Sequence, residues 1–299
     1  MRQDGDPMSR PVALLVNPSA GGGRALRALP AVEAELARLG MTVRVERTRS
    51  LSHARELAIV ATDAGETVVT LSGDGLLGAV AGALRGREDA VIGVLPGGRG
   101  NDFARICGIP LEPVAACTVI ATGAATPLDV GDVGGRTFVG IASLGFDSVA
   151  NRIANEAPSR LGPLVYAYGA LRALATWQPA TFDVAVDRDR RTFTGWTVAA
   201  ANNKAYGGGM LLAPDARLDD GELDVVLTAP DSKLDFLRRL PLVFKGTHVD
   251  LPSVTVLRGR EVRIAADRPF AVYADGDLIG ELPVTIKAIP AAIRVLLPS

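Results

Sequence analysis

Thr67-Val68-Val69-Thr70-Leu71-Ser72-Gly73-Asp74-Gly75 joins an apolar, β-branched run directly to a glycine turn. Its first five residues are β-branched or apolar without polar alternation, which is how a strand buried on both faces reads. A glycine turn follows directly, and from Leu76 to Leu84 the apolar residues take helical spacing. The arrangement recurs on either side: Val12 to Val16 runs into Asn17-Pro18-Ser19-Ala20-Gly21-Gly22-Gly23, and Val91 to Leu95 runs into Pro96-Gly97-Gly98-Arg99-Gly100-Asn101-Asp102. Parallel strands carry their loops on one edge, so the three turns can converge on one crevice at the carboxyl ends of the strands. Glycine lets the backbone approach a bulky anion with no Cβ in the way, and N–H groups at a turn or helix start suit phosphate oxygens. The crevice suits a nucleotide.

Working outward, helices are expected at Ala25 to Leu39, His53 to Ala64 and Pro113 to Ala121, with a further strand at Thr42 to Glu46. This alternation predicts an open, mostly parallel sheet covered by helices over residues 11–127, an N-terminal α/β nucleotide-binding domain. Beyond Pro127 the pattern changes to short alternating runs: Thr137 to Ile141, Thr181 to Val186, Thr192 to Ala201, Leu223 to Leu227, Val262 to Ala265 and Phe270 to Tyr273. Helical stretches at Tyr166 to Trp177 and Lys233 to Val243 interrupt them. Residues 128–290 therefore read as an antiparallel, β-sandwich-like second domain with helical insertions, the boundary falling near Thr126 to Val130. Residues 1–10 read as a flexible lead-in. Ala291 to Leu297, within a final segment of residues 291–299, either completes the second domain or returns as a strand to the first sheet.

Bulk properties narrow the class. A chain of 299 residues is long enough for about two domains. With 48% hydrophobic and 22% charged residues it has the composition of a folded globular protein. The net charge of -1 carries no basic excess for nucleic acid. No apolar run approaches the ~20 residues of a membrane span, and the polar start is not a signal peptide, so a cytoplasmic location is expected. Cys107 and Cys117 have no metal-ligand or disulfide-framework spacing and read as buried small apolar residues.

Taken together the loops resemble the catalytic domain of the diacylglycerol kinase-like lipid kinases, a superfamily that includes sphingosine kinases and, more distantly, NAD kinases and phosphofructokinases. Asn17-Pro18-Ser19-Ala20-Gly21 is similar to the family's Asn-Pro-x-x-Gly, and Thr48 followed by Ser52-His53-Ala54 resembles its next element. Ser72-Gly73-Asp74-Gly75 resembles Gly-Gly-Asp-Gly-Thr, and the run from Pro96 to Arg105 resembles Pro-x-Gly-Thr-x-Asn-Asp-Phe-Ala-Arg. Asn202-Asn203, Tyr206-Gly207-Gly208-Gly209-Met210 and the segment from Ala213 to Val225 resemble the bacterial members, and Asp275-Gly276-Asp277 stands where the family has Asp-Gly-Glu.

The resemblance implies a kinase that uses ATP and Mg²⁺ on a lipid substrate, diacylglycerol being the default, in a cleft between the two domains. It implies nucleotide contacts from Asn17, Pro18, Ser19, Ala20, Gly21, Thr48, Ser72, Gly73, Asp74, Gly75, Gly98, Arg99, Asn101 and Asp102. Asp74 is expected to face the phosphates and hold Mg²⁺ directly or through water, the alternative being a plain hairpin turn. Asp102 is read either as a functional carboxylate or as the N-cap of the next helix. Asp277 is the family's candidate general base, one methylene shorter than glutamate; without the resemblance it reads as a turn residue. The resemblance also implies a structural Mg²⁺ held by Asp220 and by backbone groups of Arg217 and Glu222, against which stands an Asx-type turn using Asp219, Asp220 and Gly221.

The family pattern is broken in places: Leu76 replaces the threonine after Gly-Asp-Gly, Gly78-Ala79 replaces an Asn-Glu pair, and Arg99 replaces the threonine of the third loop. Arg99 either pairs with a phosphate or blocks the pocket. An active kinase, a kinase with another phosphate donor, and a nucleotide- or lipid-binding sensor all stay open, with a soluble-metabolite kinase as a further rival. His53 and His248 lack metal-ligand spacing; His53 is expected to cap a helix or orient the first loop. Asp187 to Arg191 reads as a solvated hairpin tip. Lys233 to Lys245 is either a helix packed on the sandwich or one resting on an anionic bilayer, which leaves transient membrane-surface contact and a homodimer open.

Overall fold

The computed structural model describes residues 11–157, 165–229 and 232–298; the expected N-terminal lead-in, residues 1–10, lies outside them. The chain divides into two units, Met1–Asp129 with Ala291–Ser299, and Val130–Pro290.

In the first unit the strands β1 (Val12–Val16), β2 (Val43–Arg47), β3 (Thr67–Ser72) and β4 (Ile92–Pro96) run parallel in the order β2-β1-β3-β4. β1, β3 and β4 are buried along their whole length, which explains their unbroken apolar sequence. α1 (Arg24–Arg38) buries Ala25, Leu29, Val32 and Leu36, a stripe at helical spacing, and packs with α5 (Pro113–Thr122). α2 (Leu51–Asp63) packs with α3 (Asp74–Leu84). A short α4 (Asp102–Ile106) follows the third glycine turn. Ser50 caps α2 by accepting the His53 N–H, whereas the His53 ring bonds to Arg49, so the expected capping role belongs to the serine. Cys117 is buried as expected, but Cys107 is only half-buried.

The expected domain boundary is not a linker. It lies inside β5 (Ala124–Val133), a continuous strand. The final apolar run is likewise the end of a longer strand, β16 (Val284–Leu297), whose Val295 pairs in parallel with Ile92 of β4. Asp129 Oδ1 accepts the Ala291 N–H at 2.7 Å and so ties together the points where the chain leaves and re-enters the first unit.

The second unit is a two-sheet structure. One sheet has the order β12-β11-β10-β7-β14-β15, formed by β7 (Ile141–Gly145), β10 (Thr197–Ala201), β11 (Leu223–Thr228), β12 (Val254–Gly259), β14 (Ala271–Ala274) and β15 (Asp277–Glu281). The other contains β8 (Ala180–Val186), β9 (Asp189–Gly195), β13 (Glu261–Ala266) and the first part of β16, while β6 (Arg136–Phe138) pairs with β5. β8 alternates between buried and half-buried positions, placing Ala180, Phe182, Val184 and Val186 in the core. β10 is buried on both faces: Val198 and Ala200 join that core, and Ala199 and Ala201 join a second cluster with Leu212, Ala213 and Ala216. Helices α6 (Phe146–Glu156), α7 (Val165–Thr176) and α8 (Lys233–Lys245) complete the unit.

Two expected strands are each split in the structure. Thr192 to Ala201 is divided between β9, which pairs with β8, and β10, which pairs with β7 and β11. Gly195 makes the corner, where a Cβ would collide with the Phe193 ring and Thr228 O. Thr137 to Ile141 breaks in the same way at Val139-Gly140, between β6 and β7. Asp187 to Arg191 does form the β8–β9 hairpin turn and start of β9, with Asp187 at φ 50.

Phe182 is fully buried and touches Phe193 and Phe270. Phe182→Ala should destabilise the second unit by about 3–5 kcal/mol. Both tryptophans, Trp177 and Trp196, lie in this unit's core, so denaturant unfolding followed by tryptophan fluorescence reads the loss directly.

Candidate active site

The three glycine turns of the first unit sit at the ends of β1, β3 and β4 and touch one another through backbone. A Cβ on Gly21 would lie 2.5 Å from Gly97 O, and one on Gly98 would lie 2.5 Å from Gly73 Cα. No side chain fits at either contact, so these glycines are required by the meeting of the loops. Asn17 Oδ1 accepts the Ser19 N–H at 3.1 Å and the Ser19 hydroxyl at 2.9 Å, which shapes the turn holding Pro18 and Ala20. Asn101, in the left-handed region at φ 52, closes the third loop on itself: its Oδ1 accepts the Gly98 N–H at 2.8 Å and its Nδ2 donates to Gly98 O at 3.2 Å. Thr48 is buried and donates both its N–H and its hydroxyl to Val16 O. Ser72 is buried and its carbonyl accepts the Gly97 N–H at 2.7 Å, while Gly75 follows Asp74 in the first turn of α3.

Asp74 has a role that its place in a Gly-Asp-Gly turn does not reveal. Its carboxylate accepts the N–H groups of Asp102 at 2.9 Å and Phe103 at 3.1 Å, capping α4 from another element. The sequence offered Asp102 as that cap; the structure assigns the capping carboxylate to Asp74, with Asn101 in the N-cap position. Desolvation, reinforced by the neighbouring Asp102 carboxylate, pushes Asp74 up to about 6. Two adjacent carboxylates in a desolvated setting are hard oxygen donors that suit Mg²⁺, an ion that takes its other ligands from water and phosphate. No cluster of three or more His, Cys, Asp or Glu side chains that could hold a metal ion occurs among the described residues.

The departures from the family pattern fall in two places. Leu76 is 3% exposed, and Gly78 and Ala79 are buried beside it in α3. Arg99 is exposed on the third loop.

In the second unit, Asp275 and Gly276 form a tight turn with φ 53 and 92 between β14 and β15, and Asp277 is the exposed first residue of β15. Desolvation by nearby protein still lifts the Asp277 carboxyl above its ordinary value. Asp275, unremarked as an individual residue in the sequence, accepts the N–H groups of Val139 at 2.8 Å and Gly140 at 2.9 Å. Gly140 O in turn accepts the N–H groups of Asn202 and Asn203, and Asn202 Nδ2 donates to Val139 O. The start of β7 and the ends of β10 and β14 are thereby fastened into one cluster around the turn that presents Asp277.

A second pair was also missed. Asp147, at the start of α6, accepts the Tyr206 hydroxyl at 2.9 Å, and desolvation pushes its carboxyl up to about 6 against the lowering effect of the Tyr206 and Thr197 hydrogen bonds. Tyr206 belongs to the glycine-rich run noted in the sequence, but only the fold brings Asp147 to it. At the proposed structural cation site the Asx-type turn is formed: Asp220 Oδ1 accepts the Glu222 N–H at 3.0 Å, and the Arg217 side chain is paired with Asp219.

The family model for the diacylglycerol kinase catalytic domain matches residues 11–133, and that for the YegS C-terminal NAD kinase beta sandwich-like domain matches residues 140–297. The chain belongs to the diacylglycerol kinase-like lipid kinase family. A diacylglycerol kinase of Mycobacterium tuberculosis (strain ATCC 25618 / H37Rv) is 36% identical over 296 residues, covering 96% of this chain and 95% of its own. A candidate YegS-like lipid kinase of Pseudomonas aeruginosa is 33% identical over 292 residues, covering 96% and 94%. Among solved structures, a candidate diacylglycerol kinase from Bacillus anthracis str. Sterne superimposes with a TM-score of 0.84 at 19% identity, covering 100% of this chain and 98% of that one, a likeness of fold.

The sign of the Asp74 effect is testable. Its folded value of about 6 lies above the ordinary 3.8, so ionising it weighs against the fold. Stability from this group is fully present below about pH 4 and is lost as the pH rises to about 6. In EDTA, the parent should lose about 2–3 kcal/mol relative to Asp74→Asn between about pH 4 and pH 7. Unfolding curves across that range check it; a constant difference between the two proteins contradicts the assignment.

Proposed function

We propose that this chain transfers the γ-phosphate of ATP to the hydroxyl of a lipid, with Mg²⁺ and with diacylglycerol as the first acceptor to try. The observation that carries the reading is the backbone contact of three glycine turns beside the Asp74–Asp102 carboxylate pair. Phosphoryl transfer is mostly positioning and charge stabilisation, which is what such a site can supply.

The N–H groups of the turns hold phosphate oxygens, and the exposed Arg99 binds another. Asp74 and Asp102 would hold Mg²⁺, which would supply neutralisation of the charge on the transferred group. Asp277 accepts the proton of the acceptor hydroxyl as its oxygen forms the new bond to phosphorus; the bond to the β-phosphate oxygen breaks and ADP leaves. Asp275 holds the Asp277 turn in place. The acceptor class is supported by the 36% identity to a relative named diacylglycerol kinase along nearly the whole chain. A second, structural Mg²⁺ on Asp220 and the backbone of Arg217 and Glu222 is compatible with the Asx-type turn, which uses only Asp220 Oδ1. Leu76, Gly78 and Ala79 are accommodated in the buried face of α3, which supports an active enzyme over a sensor with a spoiled pocket.

The test is transfer of label from γ-labelled ATP, with Mg²⁺, into organic-extractable product from a total lipid extract. Label should appear with the parent and fall by at least about a hundredfold in Asp277→Ala and comparably in Asp74→Asn. Absence of label from the parent, with ATP binding intact, would instead favour the sensor.

A further inference from the structure

We infer that the outer faces of α7 and α8 form the surface by which this protein docks on an anionic lipid bilayer. The inference deepens the lipid-kinase reading, on which its purpose rests, since a long-chain acceptor resides in a membrane. Among the described residues, no helix is long and apolar enough to cross one.

α8 is amphipathic with an unusual outer face. Its inner side is only half-buried, with Phe236 stacked on Trp196 and set edge-on to Phe146. Its exposed positions are Lys233, Leu234, Leu237, Arg238, Pro241, Phe244 and Lys245, a single stripe at helical spacing. Solvent therefore meets large apolar side chains, with Leu234 at 56% exposure and Phe244 at 52%. α7 carries a matching stripe of Tyr168, Leu171 and Arg172, with Leu171 at 58%. The helices are linked where Lys233 Nζ donates to Ala175 O at 2.9 Å. Among the described residues, five of the exposed large apolar residues of the second unit lie on these two helices, the others being Val256 and Leu278.

Charge selects the occupant. α8 holds Lys233, Arg238, Arg239 and Lys245 against one carboxylate, Asp235, and α7 adds Arg172, in a chain whose net charge is -1. Cations bordering exposed leucine and phenylalanine are the composition of an interfacial helix, whose apolar side chains enter the acyl boundary while its lysines and arginines meet anionic headgroups. A second copy of the same face would bring like charges together.

The experiment is co-sedimentation of the full chain with vesicles of phosphatidylcholine alone and of phosphatidylcholine mixed with phosphatidylglycerol. The parent should bind the anionic vesicles, less at high salt. Leu234→Glu/Phe244→Glu should reduce the binding by about tenfold or more, while Val60→Glu, an exposed apolar site on α2, should leave it unchanged. Unfolding midpoints confirm that each variant is folded, and activity on a dispersed short-chain diacylglycerol should be the same in all three. Patch-dependent binding with no kinase activity on any lipid would uphold docking and sink the kinase reading. Equal vesicle binding by parent and patch variant would overturn docking, as would light scattering showing a dimer that the patch variant splits together with no binding to vesicles.

Discussion

The first unit depends on two close approaches between its glycine loops. Gly98 meets Gly73, and Gly21 meets Gly97, at distances that leave no room for a Cβ. The loops after β1, β3 and β4 can converge only because each brings a bare backbone to the meeting, and the parallel order of the strands puts them on the same edge. The same contacts leave N–H groups and the Asp74–Asp102 pair gathered in one place. α4 is too short to be held by its own hydrogen bonds, and the Asp74 carboxylate supplies its first two N–H groups with acceptors. A residue expected to serve the ligand thus also shapes the loop that would receive it.

The second unit is organised around strand corners. At Gly195 the chain passes from one sheet to the other, and at Gly140 it begins the strand that β10 and β14 flank. Asp275 then bonds to the amides at the Gly140 corner, fixing the turn from which Asp277 projects. The aromatic core of Phe146, Trp177, Trp196, Phe236 and Phe270 fills the opposite ends of these strands. Packing and polar ends are therefore segregated along the same sheet.

Much of this was legible in the chain, for physical reasons. β1, β3 and β4 are buried on both faces, so they announce themselves as unbroken apolar runs, and the glycine turns mark where they stop. The second unit was harder to read: β10 and β11 are also covered on both faces, so alternation fades and Thr192 to Ala201 reads as one strand although it serves two sheets. β5 and β16 are long strands that run through the divisions at Asp129/Val130 and Pro290/Ala291, so the change of composition near Thr126 to Val130 marks a boundary that has no linker. The glycine turns and short motifs were legible, and carried the family resemblance, because each is local in sequence. The capping by Asp74, the Asp147–Tyr206 pair and the Asp275 anchor join residues 28, 59 and more than 130 positions apart, and no local pattern encodes such pairings.

On this reading the glycine turns receive the nucleotide phosphates. Calorimetric titration of ATP with Mg²⁺ into the parent and into Gly98→Ala tests it most directly, with circular dichroism confirming that both are folded. The account predicts saturable binding by the parent and affinity lower by at least about tenfold in the variant, because the added methyl forces Gly98 away from Gly73. Equal affinity in the two proteins, or no binding by a folded parent, would contradict it.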